Sequence, residues 1–341
     1  MEPERYKTMG VDTSAWWAQQ TVLVTGCTGF LGCWVSLGLC QAGARVIGLS
    51  RQQPTAHSVF HLFGLRDHVT LVSGSIEEED ALSRTMTNYT PDIVFHLAGQ
   101  SQVGLARRDP HQAFEVNIRG TWNLLDACRT AQYPPRVILA SSGALYGNPG
   151  QSPVTEVTPL IDTSPYGASK ICAELLGQVY ARTYDLKCGI LRYSNLYGGG
   201  DTNLNRIIPS TISAALREEP PVIRGNGRAA RDYLYIGDAI RAGLMLAQQL
   251  GETVATGEVF NICSEQFISV RELVDLTLKC MGRGDLKSQV LNQTTGDVPF
   301  PMLSAQKARQ RLGWSAQVSL ETGLASTIVW YQRYQHLVLP Q

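Results

Sequence analysis

The chain has 341 residues, 44% of them hydrophobic and 17% charged. That length and balance suit a large globular domain joined to a smaller one and exclude a disordered chain. Lys plus Arg and Asp plus Glu each number 29, so the formal net charge is zero; this points away from nucleic acid as a partner and leaves open an anionic small ligand, whose site needs only a few guanidinium or backbone N–H groups.

In chain order, residues 21–25 (TVLVT) carry the continuous apolar run of a buried strand, and residues 30–42 read as a helix. Strand patterns recur at 44–49 (ARVIGL), 69–72 and 92–97 (DIVFHL). A helix is expected over 113–131, a strand at 136–140 (RVILA), a long amphipathic helix over 169–184 and a strand at 187–191. Such alternation implies βαβ units, so the fold class expected is α/β, a doubly wound parallel Rossmann sheet. After Asn195 the pattern loosens, punctuated by Gly198 to Gly200 and by Pro220-Pro221. Helices near 208–216, 236–249 and 270–281 and a strand at 221–224 suggest a smaller mixed α/β C-terminal domain. The division expected is a dinucleotide-binding domain over 1–190 and a mainly substrate-binding domain over 191–341. Segments within 232–262 return to the first, because 259–262 (VFNI) reads as a core strand.

Eight cysteines include no C-x-x-C pair and none at metal-ligand spacing to a histidine, so no metal site is expected and the thiols read as reduced, mostly buried residues of a cytoplasmic protein. Residues 1–20 carry Glu2, Glu4 and Asp12 without an apolar stretch, and no run of about 18 apolar residues occurs. Neither a signal peptide nor a membrane partner is expected.

Three motifs carry chemistry. Gly26, Gly29 and Gly32 stand at G-x-x-G-x-x-G spacing after a strand and at the opening of a helix. The first allows the tight turn, the second a close approach to a pyrophosphate, and the third close helix–strand packing. The helix start, with Thr28, Phe30 and Leu31, then offers N–H groups to the phosphates. The second strand ends in Ser50-Arg51 rather than in the acid that would accept from a ribose 2′-OH, a pairing that suits a 2′-phosphate and favours NADP over NAD. Tyr166 and Lys170 are at i, i+4, on one helix face. A phenol with a free pKa of about 10 is a poor base until an ammonium favours its phenolate. Ser142, in the segment 140–147 (ASSGALYG) after an apolar strand, sits where open parallel sheets bind ligands and could serve the same oxygen as Tyr166. As single motifs these also fit a structural turn, a packed tyrosine with a surface lysine, and a cap serine.

Taken together, TGCTGFLG (25–32), FHLAGQ (95–100), Asn117, SSGALYG (141–147), YGASK (166–170), RYSNLYG (192–198) and RDYLYIGD (231–238) resemble the extended short-chain dehydrogenase/reductase family, specifically its nucleotide-sugar epimerases and dehydratases. The opening WWAQQTVLVTGCTGFLG and NRIIP (205–209) are most similar to the CDP-glucose 4,6-dehydratase branch. The resemblance implies an NAD(P)-dependent enzyme, commonly a homodimer, with catalytic Ser142, Tyr166 and Lys170. It implies that Ser75 and Ile76 lie by the adenine, where the family commonly has Asp in place of the serine. Leu97, Ala98, Gln100 and Asn117 are read as cofactor-binding; Lys170 would hold the nicotinamide ribose, with Tyr193 near the nicotinamide. Ser142, Gly143, Asn195, Arg206, Arg224 and Arg231 are read as binding a nucleotide-diphosphate sugar.

One departure bears on the reaction. The family's 4,6-dehydratases place an acidic residue directly after the serine or threonine equivalent to Ser142, whereas this chain has Gly143-Ala144. Eliminating water across C5 and C6 needs a general acid and base, which glycine and alanine cannot supply. The reading is therefore an epimerase acting through transient oxidation at the sugar C4. The alternatives are a dehydratase drawing its acid from Glu156 or Asp162, an NADPH-dependent 4-ketosugar reductase, and a non-catalytic dinucleotide-binding sensor.

Overall fold

The computed structural model describes residues 15–150, 153–293 and 301–338. In chain order the described strands are β1 (Thr21–Thr25), β2 (Arg45–Ser50), β3 (Val69–Ser73), β4 (Ile93–His96), β5 (Arg136–Ser142), β6 (Cys188–Tyr193), β7 (Asn195–Tyr197), β8 (Val222–Ile223), β9 (Ala230–Tyr235), β10 (Val259–Ile262), β11 (Phe267–Ser269) and β12 (Gln289–Val290). Seven of them form one sheet in the order β3-β2-β1-β4-β5-β6-β10, with every pair parallel. The chain runs outward from β1 through β2 to β3 and then crosses to β4 on the other side of β1, a reversal that opens a crevice beyond the C-terminal strand ends.

The sheet is apolar on both faces because both are covered. Val22 and Val24 pack with Trp34, Phe95 and Leu191 on one side. Leu23, between them, faces Leu124, Leu125 and Val137 on the other. Smaller sheets, β11-β9-β7 and β12-β8, carry the C-terminal region together with helices Ile207–Leu216, Val270–Cys280 and Leu320–Arg333. The 259–262 strand pairs with β6, for example Phe260 with Leu191, and so extends the first sheet. No helix among the described residues is long and apolar enough to cross a membrane.

Two local differences from the sequence reading have physical reasons. The helix expected over 113–131 is interrupted: Pro110–Phe114 and Gly120–Thr130 flank a π-helical turn at Glu115–Arg119. The wider turn aims Asn117 inward, where its Oδ1 accepts from the Gln100 N–H at 2.7 Å and its Nδ2 donates to Ser169 Oγ at 2.8 Å. The helix expected from 169 begins at Pro165, with Ser164 as its cap accepting from the Gly167 N–H.

Candidate active site

A cleft of about 810 Å³ lies over the C-terminal strand ends and is closed on the far side by residues of the C-terminal region. At one end is the glycine loop. Gly26 has φ +70°, and a Cβ there would meet Ala98 N at 2.8 Å. A Cβ on Gly32 would meet Gly26 O at 2.0 Å, so only glycine permits this turn. Gly29 begins helix Phe30–Gln41 with no side chain capping it, which leaves the first N–H groups directed into the cleft. The loop is braced from below: Thr25 Oγ1 accepts from the Leu97 and Ala98 N–H groups, each at 3.2 Å, and meets His96 Nδ1 at 2.9 Å. Burial and the Lys170 charge push His96 down to about 3, so its ring is neutral and serves as a strut. This uncapped, Cβ-free cradle fits a pyrophosphate.

Of the expected cofactor residues, Gly26, Thr28, Gly29, Phe30, Leu31 and Gly32 line the cleft, as do Ser50, Arg51, Ser75 and Ile76 farther along. Leu97, Ala98, Gln100 and Tyr193 line its middle. Asn117 does not: its side chain is spent on Gln100 and Ser169, so it holds the wall without forming it.

Ser142, Tyr166 and Lys170 converge where β5 ends and helix Pro165–Tyr184 begins. The Tyr166 phenol and the Ser142 hydroxyl both face the cleft, close enough for Ser142 to favour the phenolate. Burial raises the phenol's pKa; the Ser142 hydroxyl and the Arg206 guanidinium oppose that rise, while Asp162 adds to it. Lys170 Nζ donates to Ala140 O at 2.5 Å. Burial brings the Lys170 ammonium down to about 8 against the opposing pull of Glu174.

A buried network fixes this centre from behind. Glu174, one turn beyond Lys170, accepts from Ser141 Oγ at 2.9 Å and from Arg192 Nε at 3.0 Å. Arg192 also donates to Tyr146 Oη at 2.5 Å, and Tyr146 donates to Asn261 Oδ1 at 2.8 Å. The Glu174 and Arg192 side chains are 1% and 4% exposed, so the pair is desolvated and its geometry constrained. The network joins the Tyr–Lys helix to β5, β6 and β10.

The expected substrate residues divide. Ser142, Asn195 and Arg206 line the cleft. Arg206 Nη1 is 2.9 Å from the buried Asp201 carboxylate, which also accepts from the Asn203 N–H at 3.2 Å. Gly143 does not line the cleft: it is buried, and a Cβ on it would meet Leu303 Cδ1 at 2.4 Å, whereas Ala144 is the neighbour that faces the cleft. Arg224 also lies outside, exposed and donating to Asn205 Oδ1 at 3.3 Å. Arg231 lies outside as well, with Nη1 donating to Ala230 O at 3.0 Å; on β9 it shares a face with Tyr233, which does line the cleft.

Three functional residues are absent from the sequence reading. Asp201 orients Arg206, and its acid-x4-Arg spacing was the available signal. Glu77 lines the cleft near Arg51, and Glu174 follows Lys170 by four residues.

Residues 23–327 match the family model described as GDP-mannose 4,6 dehydratase. The chain is 30% identical over 315 residues to UDP-glucose 4-epimerase of Mycolicibacterium smegmatis, covering 91% of this chain and 98% of that protein. It is 27% identical to CDP-glucose 4,6-dehydratase of Salmonella typhimurium, covering 93% and 92%. Among solved structures, the UDP-glucose 4-epimerase of Thermotoga maritima with UDP-glucose superposes with a TM-score of 0.85 at 31% identity, over 92% of this chain and 99% of that one. A dTDP-glucose 4,6-dehydratase double mutant of Streptomyces venezuelae with NAD bound gives 0.82 at 27% identity, over 92% and 98%. With the glycine cradle, the Ser–Tyr–Lys centre and this match over nearly the whole chain, the protein is an enzyme of the extended short-chain dehydrogenase/reductase family of nucleotide-sugar epimerases and 4,6-dehydratases.

Proposed function

We propose that the protein is a nucleotide-sugar 4-epimerase. The observation that carries this reading is the surface beside Ser142: Gly143 packs against Leu303 and Ala144 faces the cleft, so neither provides an acid or base. The two replacement acids are otherwise engaged. Glu156 Oε1 accepts from the Asn261 N–H at 2.7 Å, and Asp162 accepts from the Ser164 N–H at 2.8 Å and from its hydroxyl at 3.1 Å. Neither lines the cleft. The carboxylates among the described lining residues are Glu77, near Arg51, and Asp201, paired with Arg206. Among the described residues beside Ser142 none can carry a proton for elimination across C5 and C6, whereas inversion at C4 needs none beyond Tyr166.

The chain's own groups then act as follows. The uncapped helix start at Gly29, with Gly26 and Gly32, would hold a dinucleotide pyrophosphate. A bound nicotinamide dinucleotide supplies the oxidant for C4 and later returns the same electrons to the keto sugar. Tyr166, as its phenolate, accepts the C4 hydroxyl proton and gives it back to the C4 oxygen; the inversion lies in the C4–H bond, remade on the opposite face of the keto sugar. Arg206 favours that phenolate electrostatically, and Ser142 donates to the oxygen being relayed. Asn195 and Arg206 would hold the sugar's diphosphate, with Asp201 orienting the guanidinium. At the adenosine end, Arg51 would favour a 2′-phosphate and the neighbouring Glu77 carboxylate would oppose it.

The assembly we infer is a homodimer. Trp122, Leu175 and Val179 are 46%, 58% and 41% exposed on helices Gly120–Thr130 and Pro165–Tyr184, an apolar area that a second copy would cover. Leu125, on the first of these helices, is fully buried in the core.

The test of the reaction is incubation with a panel of nucleotide-diphosphate hexoses followed by proton NMR. Inversion at C4 without a methyl doublet is the expected outcome. A 6-deoxy-4-keto product would sink the epimerase reading and direct mutagenesis to Glu156 and Asp162.

A further inference from the structure

We propose that Glu77 sets the choice between dinucleotides with and without a 2′-phosphate, by engaging the Arg51 guanidinium that such a phosphate would need. The inference rests on reading the cleft as a nicotinamide-dinucleotide site.

Sequence alone leaves this end of the cleft without an acid: β2 ends in Ser50, β3 ends in Ser73, and Ser75 follows. The fold brings one in. Glu77 lines the cleft, and its Oε2 lies 3.9 Å from Arg51 Nη1. The two partners are held unequally. Glu77 Oε2 accepts from the Ser75 hydroxyl at 2.8 Å, and its backbone N–H donates to Ser75 Oγ at 3.3 Å. The same residue's carbonyl accepts from Arg119 Nη2 at 3.4 Å. The Glu77 side chain is 22% exposed and that of Arg51 64%. The acid is therefore the fixed member of the pair and the arginine the movable one.

This asymmetry has a consequence for selectivity. With Glu77 beside it, Arg51 presents little net positive charge to an incoming anion. A dinucleotide with a free 2′-hydroxyl brings no charge and leaves the pair intact, and its hydroxyl can donate to a carboxylate. A 2′-phosphate must draw Arg51 away from Glu77 before the guanidinium can serve it. Because the pair is partly solvated, its strength is modest, so it biases the choice without forbidding either cofactor.

The experiment is titration of the purified full-length protein with NADP⁺ and NAD⁺, followed by calorimetry, for the wild type, Glu77→Gln, Arg51→Ala and the double variant. Glutamine keeps an acceptor for Ser75 and removes the charge. Glu77→Gln should tighten NADP⁺ about three- to tenfold and change NAD⁺ less than about twofold. Arg51→Ala, at an exposed position with no packing role, should weaken NADP⁺ by a similar factor and leave NAD⁺ nearly unchanged. In the Arg51→Ala background the Glu77→Gln gain should shrink below about twofold, because the carboxylate acts through the guanidinium. An unchanged NADP⁺-to-NAD⁺ ratio in Glu77→Gln would overturn the proposal, as would an undiminished gain in the double variant. Either result would leave the dinucleotide reading standing. Failure of the wild type to bind either dinucleotide would overturn both.

Discussion

The two ends of the cleft are built on different physics. At the reacting end, Tyr166, Ser142 and Lys170 stand on a strand and a helix tied together by Glu174 and Arg192, both almost fully desolvated. At the adenosine end, Arg51 and Glu77 form one longer contact with the guanidinium in solvent. Charges in the first setting interact strongly, and their partners cannot be removed cheaply; charges in the second are screened and exchangeable. The difference teaches that geometry is over-determined where charged partners are buried and left adjustable where they are solvated.

The comparison breaks most visibly through stability. Glu174→Ala strands the buried Arg192 charge and should cost about 3–5 kcal/mol of unfolding free energy, read from urea or thermal unfolding. Arg51→Ala should stay within about 0.5 kcal/mol of wild type, as ordinary surface substitutions do. Equal losses at the two positions would erase the distinction.

Next in size is the chemical step. Tyr166→Phe keeps the ring and deletes the hydroxyl proposed to relay the C4 proton. Turnover should fall at least about a hundredfold, roughly 2.7 kcal/mol of barrier, while dinucleotide affinity stays within about twofold of wild type. Near-normal turnover would remove Tyr166 from the mechanism.

The smallest effect on the site itself is expected at the outer face of the Tyr–Lys helix. Leu175→Glu puts a charge into the proposed subunit contact and should convert a dimer to a monomer by light scattering at micromolar concentration, with the intrachain network intact. A monomeric wild type would contradict the assembly reading.

Much of this was legible in the sequence because the signals are local. The glycine spacing, the strand–helix alternation and the i, i+4 relation of Tyr166 and Lys170 each fit within a few residues. What escaped depends on long-range contacts or on direction. Glu174 is also at i, i+4 from Lys170, but an acid on a helix ordinarily faces water; only Arg192, arriving on β6, makes its burial tenable. Glu77 gains meaning only once β2 and β3 lie side by side and bring Arg51 to it. The sequence supplied Gly143-Ala144 as a pair, whereas which of the two faces the cleft depends on the turn after β5 and on Leu303 packing from the C-terminal region. The helix Glu79–Tyr89 escaped because its buried stripe is only Ala81, Leu82, Thr85 and Met86 within a polar segment.

The central proposal is that, among the described residues, no group beside Ser142 can move a proton at C5. The direct measurement is the reaction in D₂O with the nucleotide-hexose panel, following deuterium at C5 by NMR and mass spectrometry. The account predicts a product inverted at C4 with C5 unlabelled, since Tyr166 exchanges only the hydroxyl proton. Deuterium at C5, together with a 6-deoxy-4-keto product, would contradict it.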